Sequence, residues 1–243
     1  MIDLHSHILP ELDDGAQSLR DSLAMARMAV DSGIQVMVAT PHCAEDRTRE
    51  VYRAWKLLRQ ALQENESPLR LFLGMEILGQ PDTAQLLLEK KLFTINGSRY
   101  PLIEFPFQGY GKEETWILYN VCKAGYRPVV AHPERYDYVQ RNPQLINLWY
   151  RMGCLMQVNR GSLLGRFGGT AQQVAWELVD RGFASVVASD AHSVRMRTPR
   201  LADVRKQIGR DISPRCAQKL LRENPGKIIK NEEIPLVQPE WFK

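Results

Sequence analysis

The chain has 243 residues, 44% of them hydrophobic and 25% charged, with 32 basic and 28 acidic side chains and a formal charge of +4. Those proportions predict an ordinary soluble globular protein, large enough to need no disulfides, and the basic excess is too mild to argue for nucleic acid. No run reaches the roughly 18 apolar residues of a membrane helix. The opening MIDLHSHILP has neither a basic start nor a cleavable apolar segment. The cysteines Cys43, Cys122, Cys154 and Cys216 form no Cys-x-x-Cys pair. A cytoplasmic protein with reduced thiols is expected.

Short apolar runs of β character fall at 1–4, 34–39, 69–75, 100–103, 128–131, 154–158 and 184–188. Helical patterns fall between them at 19–32, 48–65, 113–124, 171–180 and 201–208. The first of these puts Leu23, Ala26, Ala29 and Val30 on one face. The runs are apolar on both faces, as buried parallel strands are, so the alternation predicts a parallel α/β fold. No composition break marks a boundary, and residues 1–243 read as one domain. The segment from Glu223 to Lys227 is expected to end the last helix, and residues 232–243 read as a C-terminal tail whose Trp241 and Phe242 need a packing partner.

The polar residues just past these runs form a series. His5, His7 and Asp14 follow the first run, His42 the second, Glu76 the third, Glu104 the fourth and His132 the fifth. Asn159 follows the sixth, and Asp190 with His192 the seventh. Successive members lie about 30 residues apart, the length of one strand–helix unit, which places each at the C-terminal end of a strand. Parallel α/β folds build their active sites at that end. Residues two apart on a strand share a face, so His5 can join His7 on one ion, and Asp190 can converge with His192. Imidazole with carboxylate suits zinc, manganese or iron rather than calcium. Nine candidate ligands are too many for one tetrahedral zinc and suit two or three ions with a bridging carboxylate. A strand-end salt bridge competes as an account of Glu76, and Asp13-Asp14-Gly15 also reads as a turn. Asn159 is read as a polar lining residue.

The segments DLHSHILPELDDGA, VATPH, GMEI, EFP, AHPERY, QVNRGSLLG and SDAHSVRMRTP span residues 3 to 199. With the ending ENPGKIIKNE, they resemble the PHP superfamily of metal-dependent phosphoesterases. More narrowly, they resemble its bacterial capsule and exopolysaccharide tyrosine-protein phosphatases. The resemblance implies a distorted TIM-like barrel of seven strands and helices, with the active site at the C-terminal strand ends and two to three divalent ions, manganese foremost and iron or zinc next. It implies one ion on His5, His7, Glu76 and Asp190, and a second shared through Glu76 with Glu104 and His132. A third would sit on Asp14, His42 and His192. Arg135 and Arg197 match the arginines that family members use on phosphate, with Arg195 and Arg200 as rivals of the latter. Histidinol phosphatases of the superfamily tend to carry histidine where Asp14 and Glu104 stand, so the acidic pair favours the tyrosine-phosphatase branch. The implied substrate is the tyrosine-rich tail of a bacterial tyrosine autokinase. One departure is CAEDRTREVY after His42, where the family has Gly and Tyr-x-Asn elements; it affects the loop at 43–52 and not the ligand set.

Cys43 and Arg49 also make the Cys-x5-Arg spacing of cysteine-dependent phosphatases. Glu45 and Asp46 would then face the phosphate dianion, and no glycine supplies the tight turn. The metal reading has the better electrostatics. Three divalent ions outweigh four ligand carboxylates, and such ions bring bound water to a pKa near 7. Hydroxide attack on phosphorus is therefore expected, with Arg135 and Arg197 neutralising the equatorial oxygens and Asp14 or a water as general acid. The alternatives are a small-molecule phosphatase such as one for histidinol phosphate, and a barrel retained as a non-catalytic module.

Overall fold

The computed structural model describes residues 1–42 and 47–243. Its strands are β1 (Ile2–Asp3), β2 (Val36–Ala39), β3 (Arg70–Leu73), β4 (Glu76–Leu78), β5 (Leu102–Glu104), β6 (Val129–Ala131), β7 (Leu155–Asn159) and β8 (Ala184–Ala188). The helices are α1 (Leu19–Asp31), α2 (Thr48–Glu64), α3 (Thr83–Leu88), α4 (Lys112–Lys123), α5 (Asp137–Arg141), α6 (Gln144–Arg151), α7 (Arg160–Leu163), α8 (Gly169–Asp180), α9 (Ala202–Asp211), α10 (Pro214–Gln218) and α11 (Asn224–Ile229).

Helix α1 illustrates how local sequence sets an element. Ser18 caps it by accepting from the Asp21 N–H. Gly33 (φ 85°) ends it in a left-handed turn, with Gly33 N–H donating to Val30 O and Ile34 N–H to Ala29 O. Its buried face is Ser22, Met25, Ala26 and Ala29. Leu23 and Val30, expected at the centre of that face, lie on its flank.

The strands form two parallel sheets, β1-β2-β3 and β4-β5-β6-β7-β8. The third apolar run is therefore two short strands. The chain breaks at Gly74 and Met75, after which β4 leaves β2 for β5. A bridge between His42 and Glu76 spans the two sheets on one side. On the other, Ser6 pairs with Ala191, and His7 N–H donates to Ala191 O at 2.8 Å. One apolar cluster takes Leu4, Val38, Leu102, Val129, Leu155 and Val186 from both sheets, and Ile228 and Ile234 pack into it.

The C-terminal region differs from expectation. Asn224-Pro225-Gly226 opens α11 instead of ending a helix, because Pro225 sits in the first turn where no N–H is needed. A π-helical turn, Lys219–Glu223, leads into it. The residues after 232 are strapped down. Ile234 O accepts from Arg127, Val237 pairs with the Tyr150 hydroxyl, and Phe242 pairs with the Asn147 amide. Phe242 stacks on Phe183, and Trp241 packs edge-on to Phe183 and Tyr150.

Candidate metal centre

All nine candidate ligands of the strand-end series come together at one end of the sheets. His5 and His7 extend past β1, and Glu76 and Glu104 sit on β4 and β5. His132 immediately follows β6, and Asp190 lies two residues past the end of β8. Both adopt left-handed backbone, φ 34° and 52°, a cost for non-glycine residues that clusters at functional sites. The loop carrying Asp13 and Asp14 can approach only because Gly15 has no side chain. A Cβ there would stand 2.1 Å from His7 O.

The closest contacts run from the His5 and His7 imidazoles to Glu76 and Asp190, all four buried; His5, His7 and Asp190 form one group, and Glu76 joins His5 and His132 in another. His5 Nε2 lies 3.2 Å from His7 Nε2, 3.0 Å from Glu76 Oε2 and 3.4 Å from Asp190 Oδ1. His7 Nε2 lies 3.1 Å and 3.5 Å from the same two oxygens. Ligands held about 2.1 Å from a single ion are separated by about 3.0–3.4 Å. The ring protons support the same reading. His5 Nδ1–H donates to Gln157 Oε1 at 2.8 Å, and His7 Nδ1–H to Asp13 Oδ2 at 2.7 Å. Each ring thus turns its Nε2 lone pair toward the other and toward two carboxylates, an arrangement that a cation relieves. Asp190 Oδ1 and His192 Nε2 are buried without a hydrogen-bond partner among the described residues. These donors fit divalent ions.

The remaining ligands divide differently from the expected sets. His132 Nε2 lies 2.8 Å from Glu76 Oε1 and groups with His5 and Glu76. Glu104 groups with His42 and Glu76 instead, because His42 Nδ1 takes its Oε1 at 2.7 Å. Glu104 and His132 are therefore not gathered into one set with Glu76. Asp14, His42 and His192 do group as expected, joined by His7. His192 Nε2 lies 3.3 Å from Asp14 Oδ1, without hydrogen-bond geometry.

Electrostatics follow from this crowding. Burial pushes the Glu76 carboxyl up, but the imidazoles of His5, His132 and His7 outweigh it and hold Glu76 well below the usual carboxylate range. Asp190 is likewise depressed against its burial by His5, His7 and Arg197. Burial, with His7 and Arg197 nearby, pushes His192 down to about 3, so its ring is neutral and open to a metal.

Both expected arginines reach the site. Arg135 Nη1 lies 3.3 Å from Asp190 Oδ2, and Arg197 Nη2 bonds the same oxygen. The Arg135 guanidinium is clamped between Phe107 and Phe167, 4.4 Å and 4.1 Å from their ring centres. The Asn159 amide also donates to Asp190 Oδ2, at 2.5 Å, and accepts from Gln157. A buried amide relay thus links His5 to Asp190. Sequence reasoning missed Asp13, Gln157, Phe107 and Phe167. Only Asp13 carried a local signal, its place in Asp13-Asp14-Gly15. Cys43 lies outside the described residues, and Arg49, its partner in the Cys-x5-Arg spacing, is exposed on α2.

The centre opens into a cavity of about 840 Å³. Candidate ligands, Arg135 and Arg197 line it together with the apolar Leu12, Ile77, Leu78, Leu86, Leu92 and Phe107 and the polar Arg47, Gln80, Asp82 and Thr83. Residues 1–230 match the capsular polysaccharide synthesis family CpsB/CapC. The chain belongs to this family. Tyrosine-protein phosphatase YwqE of Bacillus subtilis (strain 168) is 35% identical to this CpsB/CapC protein over 251 residues, covering 100% of this chain and 97% of YwqE. Tyrosine-protein phosphatase CpsB of Streptococcus pneumoniae is 30% identical over 243 residues, covering 96% of this chain and 100% of CpsB. Among solved structures, those of YwqE from Bacillus subtilis and CpsB from Streptococcus pneumoniae are described as unique metal-dependent tyrosine phosphatases. One of those chains superposes with a TM-score of 0.93 at 34% identity, over 100% of both chains.

Proposed function

We propose that this CpsB/CapC protein is a metal-dependent protein-tyrosine phosphatase. The observation that carries the reading is the buried cluster of His5, His7, Glu76 and Asp190, in which each imidazole Nε2 lies 3.0–3.5 Å from both carboxylates, directly beside two arginines. Its substrate is phosphotyrosine on a protein, and the tyrosine-rich tail of a kinase controlling capsular or exopolysaccharide synthesis suits the family. We take residues 1–243 as one domain with its two sheets closed into a distorted seven-stranded barrel, a reading supported by the Ser6–Ala191 and His42–Glu76 bridges. No helix among the described residues is long and apolar enough to cross a membrane, in keeping with action on a cytoplasmic kinase tail.

His5, His7, Asp14, His42, Glu76, Glu104, His132, Asp190 and His192 would hold two to three divalent ions, with manganese the first candidate and iron or zinc next. When bound, such ions lower the pKa of water and supply positive charge against a phosphate dianion. Gln157 and Asp13 fix the His5 and His7 rings with their Nε2 atoms facing inward. Arg135 and Arg197 take the equatorial phosphate oxygens, for which the guanidinium fork is suited. The Phe107 ring and the apolar wall receive the aryl group and exclude water from it. The tyrosinate leaving group, with a pKa near 10, needs little protonation; a water would supply the proton, or Asp14 where it is not engaged with an ion.

Rates on a phosphotyrosyl peptide and on histidinol phosphate, measured after chelation and metal add-back, test the reading. Activity on the peptide that disappears with chelator and returns with metal is expected. Strong preference for histidinol phosphate would overturn the substrate, and fewer than two metals per chain would overturn the multinuclear centre. Full activity of Cys43→Ser is expected, and its loss would reinstate the thiolate mechanism.

A further inference from the structure

Helix α2 starts at the mouth of the cavity, where Arg47 forms part of the lining. It buries Val51, Leu58, Ala61 and Leu62. On the opposite face Arg49, Arg53 and Lys56 recur at i, i+4 and i+7, all exposed. None of the three has a carboxylate partner among the described residues. The two acids of the helix are engaged elsewhere, Glu50 with Arg47 and Glu64 with Gln60. Like charges at i and i+4 destabilise a helix. Arg49 also stands in the first turn, where the helix dipole favours acids. The arrangement costs stability locally and leaves a row of charge without a carboxylate partner among the described residues. Aromatic contacts hold part of the row in place. Lys56 Nζ lies 4.8 Å from the centre of the Tyr52 ring, which stacks on Trp55 at 5.6 Å.

We propose that this face of α2 is a docking ridge for an anionic stretch of the substrate, next to the phosphotyrosine being hydrolysed. The proposal rests on the phosphatase reading and adds a preference that the metal centre alone does not confer. Arg49 and Lys56 are about 10 Å apart along the helix, a span that an extended peptide covers in about three residues. Flanking carboxylates and further phosphotyrosines offer the same charge to the ridge, and both fit it. A neutral flank gains nothing from it.

The experiment compares the wild type with the triple variant Arg49→Gln, Arg53→Gln and Lys56→Gln; glutamine keeps the helix propensity. Four substrates are used at low ionic strength: phosphotyrosyl peptides flanked by neutral residues, by carboxylates or by a second phosphotyrosine, and p-nitrophenyl phosphate. The wild type is expected to favour the anionic flanks by about tenfold in kcat/KM, mostly through KM, with the preference fading in high salt. The variant should lose that preference while turning over p-nitrophenyl phosphate at the wild-type rate. The two anionic arms show which source of charge the ridge uses. A variant that keeps the preference, or a wild type without one, overturns the proposal. Fluorescence anisotropy with labelled acidic peptide reads the ridge independently of turnover. Absence of any hydrolysis would sink the phosphatase reading, whereas equal peptide binding by wild type and variant would sink the ridge.

Discussion

Individual side chains show how the centre is aimed. Gln157 accepts the His5 ring proton and so selects which imidazole nitrogen faces the ligand cluster. Gln157→Leu removes that acceptor, and outer hydrogen bonds of this kind are worth roughly 10–100-fold in metal affinity. Titration of the metal-free protein should show a loss of that size. Unchanged affinity in the leucine variant would remove Gln157 from the metal site. The Phe167 ring acts on the other partner of the chemistry. It closes one face of the Arg135 clamp, and such a contact is worth about 0.5–2 kcal/mol. Phe167→Leu is expected to raise KM for a phosphotyrosyl peptide several-fold with little change in melting temperature, and Phe167→Tyr to restore it. An unchanged KM would mean that Arg135 needs no clamp. Neither residue was legible as functional from sequence, because each gains its role only from a partner far along the chain. Gln157 lies 152 positions from His5.

At the scale of elements, the strand ends carry the ligands and the connections between them hold the arginines. Arg160, buried at the start of α7, donates to Asp203 on α9 and to the Thr198 backbone and hydroxyl. It therefore braces the loop that carries Arg197. Burial raises the Asp203 carboxyl, but the Arg160 guanidinium outweighs it and holds the group below its ordinary value. A depressed folded-state pKa stabilises above the unfolded value of about 3.9, and that stabilisation is lost as pH falls through the folded value. Asp203→Asn should therefore cost about 1 kcal/mol near neutral pH, a modest figure because Asp203 is part-exposed. The difference should begin to shrink below about pH 4 and vanish only once the pH has fallen through the depressed folded value. Urea denaturation at pH 7 and along a series of pH values descending below about 4 checks both parts, and a gap that does not shrink along that series would contradict the assignment. The strand-end series itself was legible because strands and helices alternate at a regular spacing and side chains alternate across a strand. The contact of Glu104 with His42 was not, since which side chains meet depends on how neighbouring strands splay.

Across the whole molecule, the segment after residue 232 fastens one end of the fold. Ile234 packs into the apolar cluster shared by both sheets, and Phe242 stacks on Phe183. Truncation after Glu232 removes both contacts. At about 1.5–3 kcal/mol per buried side chain, it is expected to lower stability by roughly 3–6 kcal/mol in chemical denaturation. A truncated protein as stable as the full chain would make the strap ornamental. In sequence the segment read as a tail whose Trp241 and Phe242 need a packing partner; which partner was not legible, because Arg127, Asn147, Tyr150 and Phe183 come from other parts of the chain.

The sequence by itself determined the class of fold, the end of the sheets where the site lies and the nine donors placed there. Each depends on local periodicity and on the reach of a single strand. Only the tertiary structure shows which candidate donors lie beside one another and that Asp13 and Gln157 orient the His7 and His5 rings. It alone placed Phe107 and Phe167 around Arg135 and brought Arg135 and Arg197 onto one oxygen of Asp190. Those are contacts between segments distant in the chain, and their geometry is set by packing rather than by spacing.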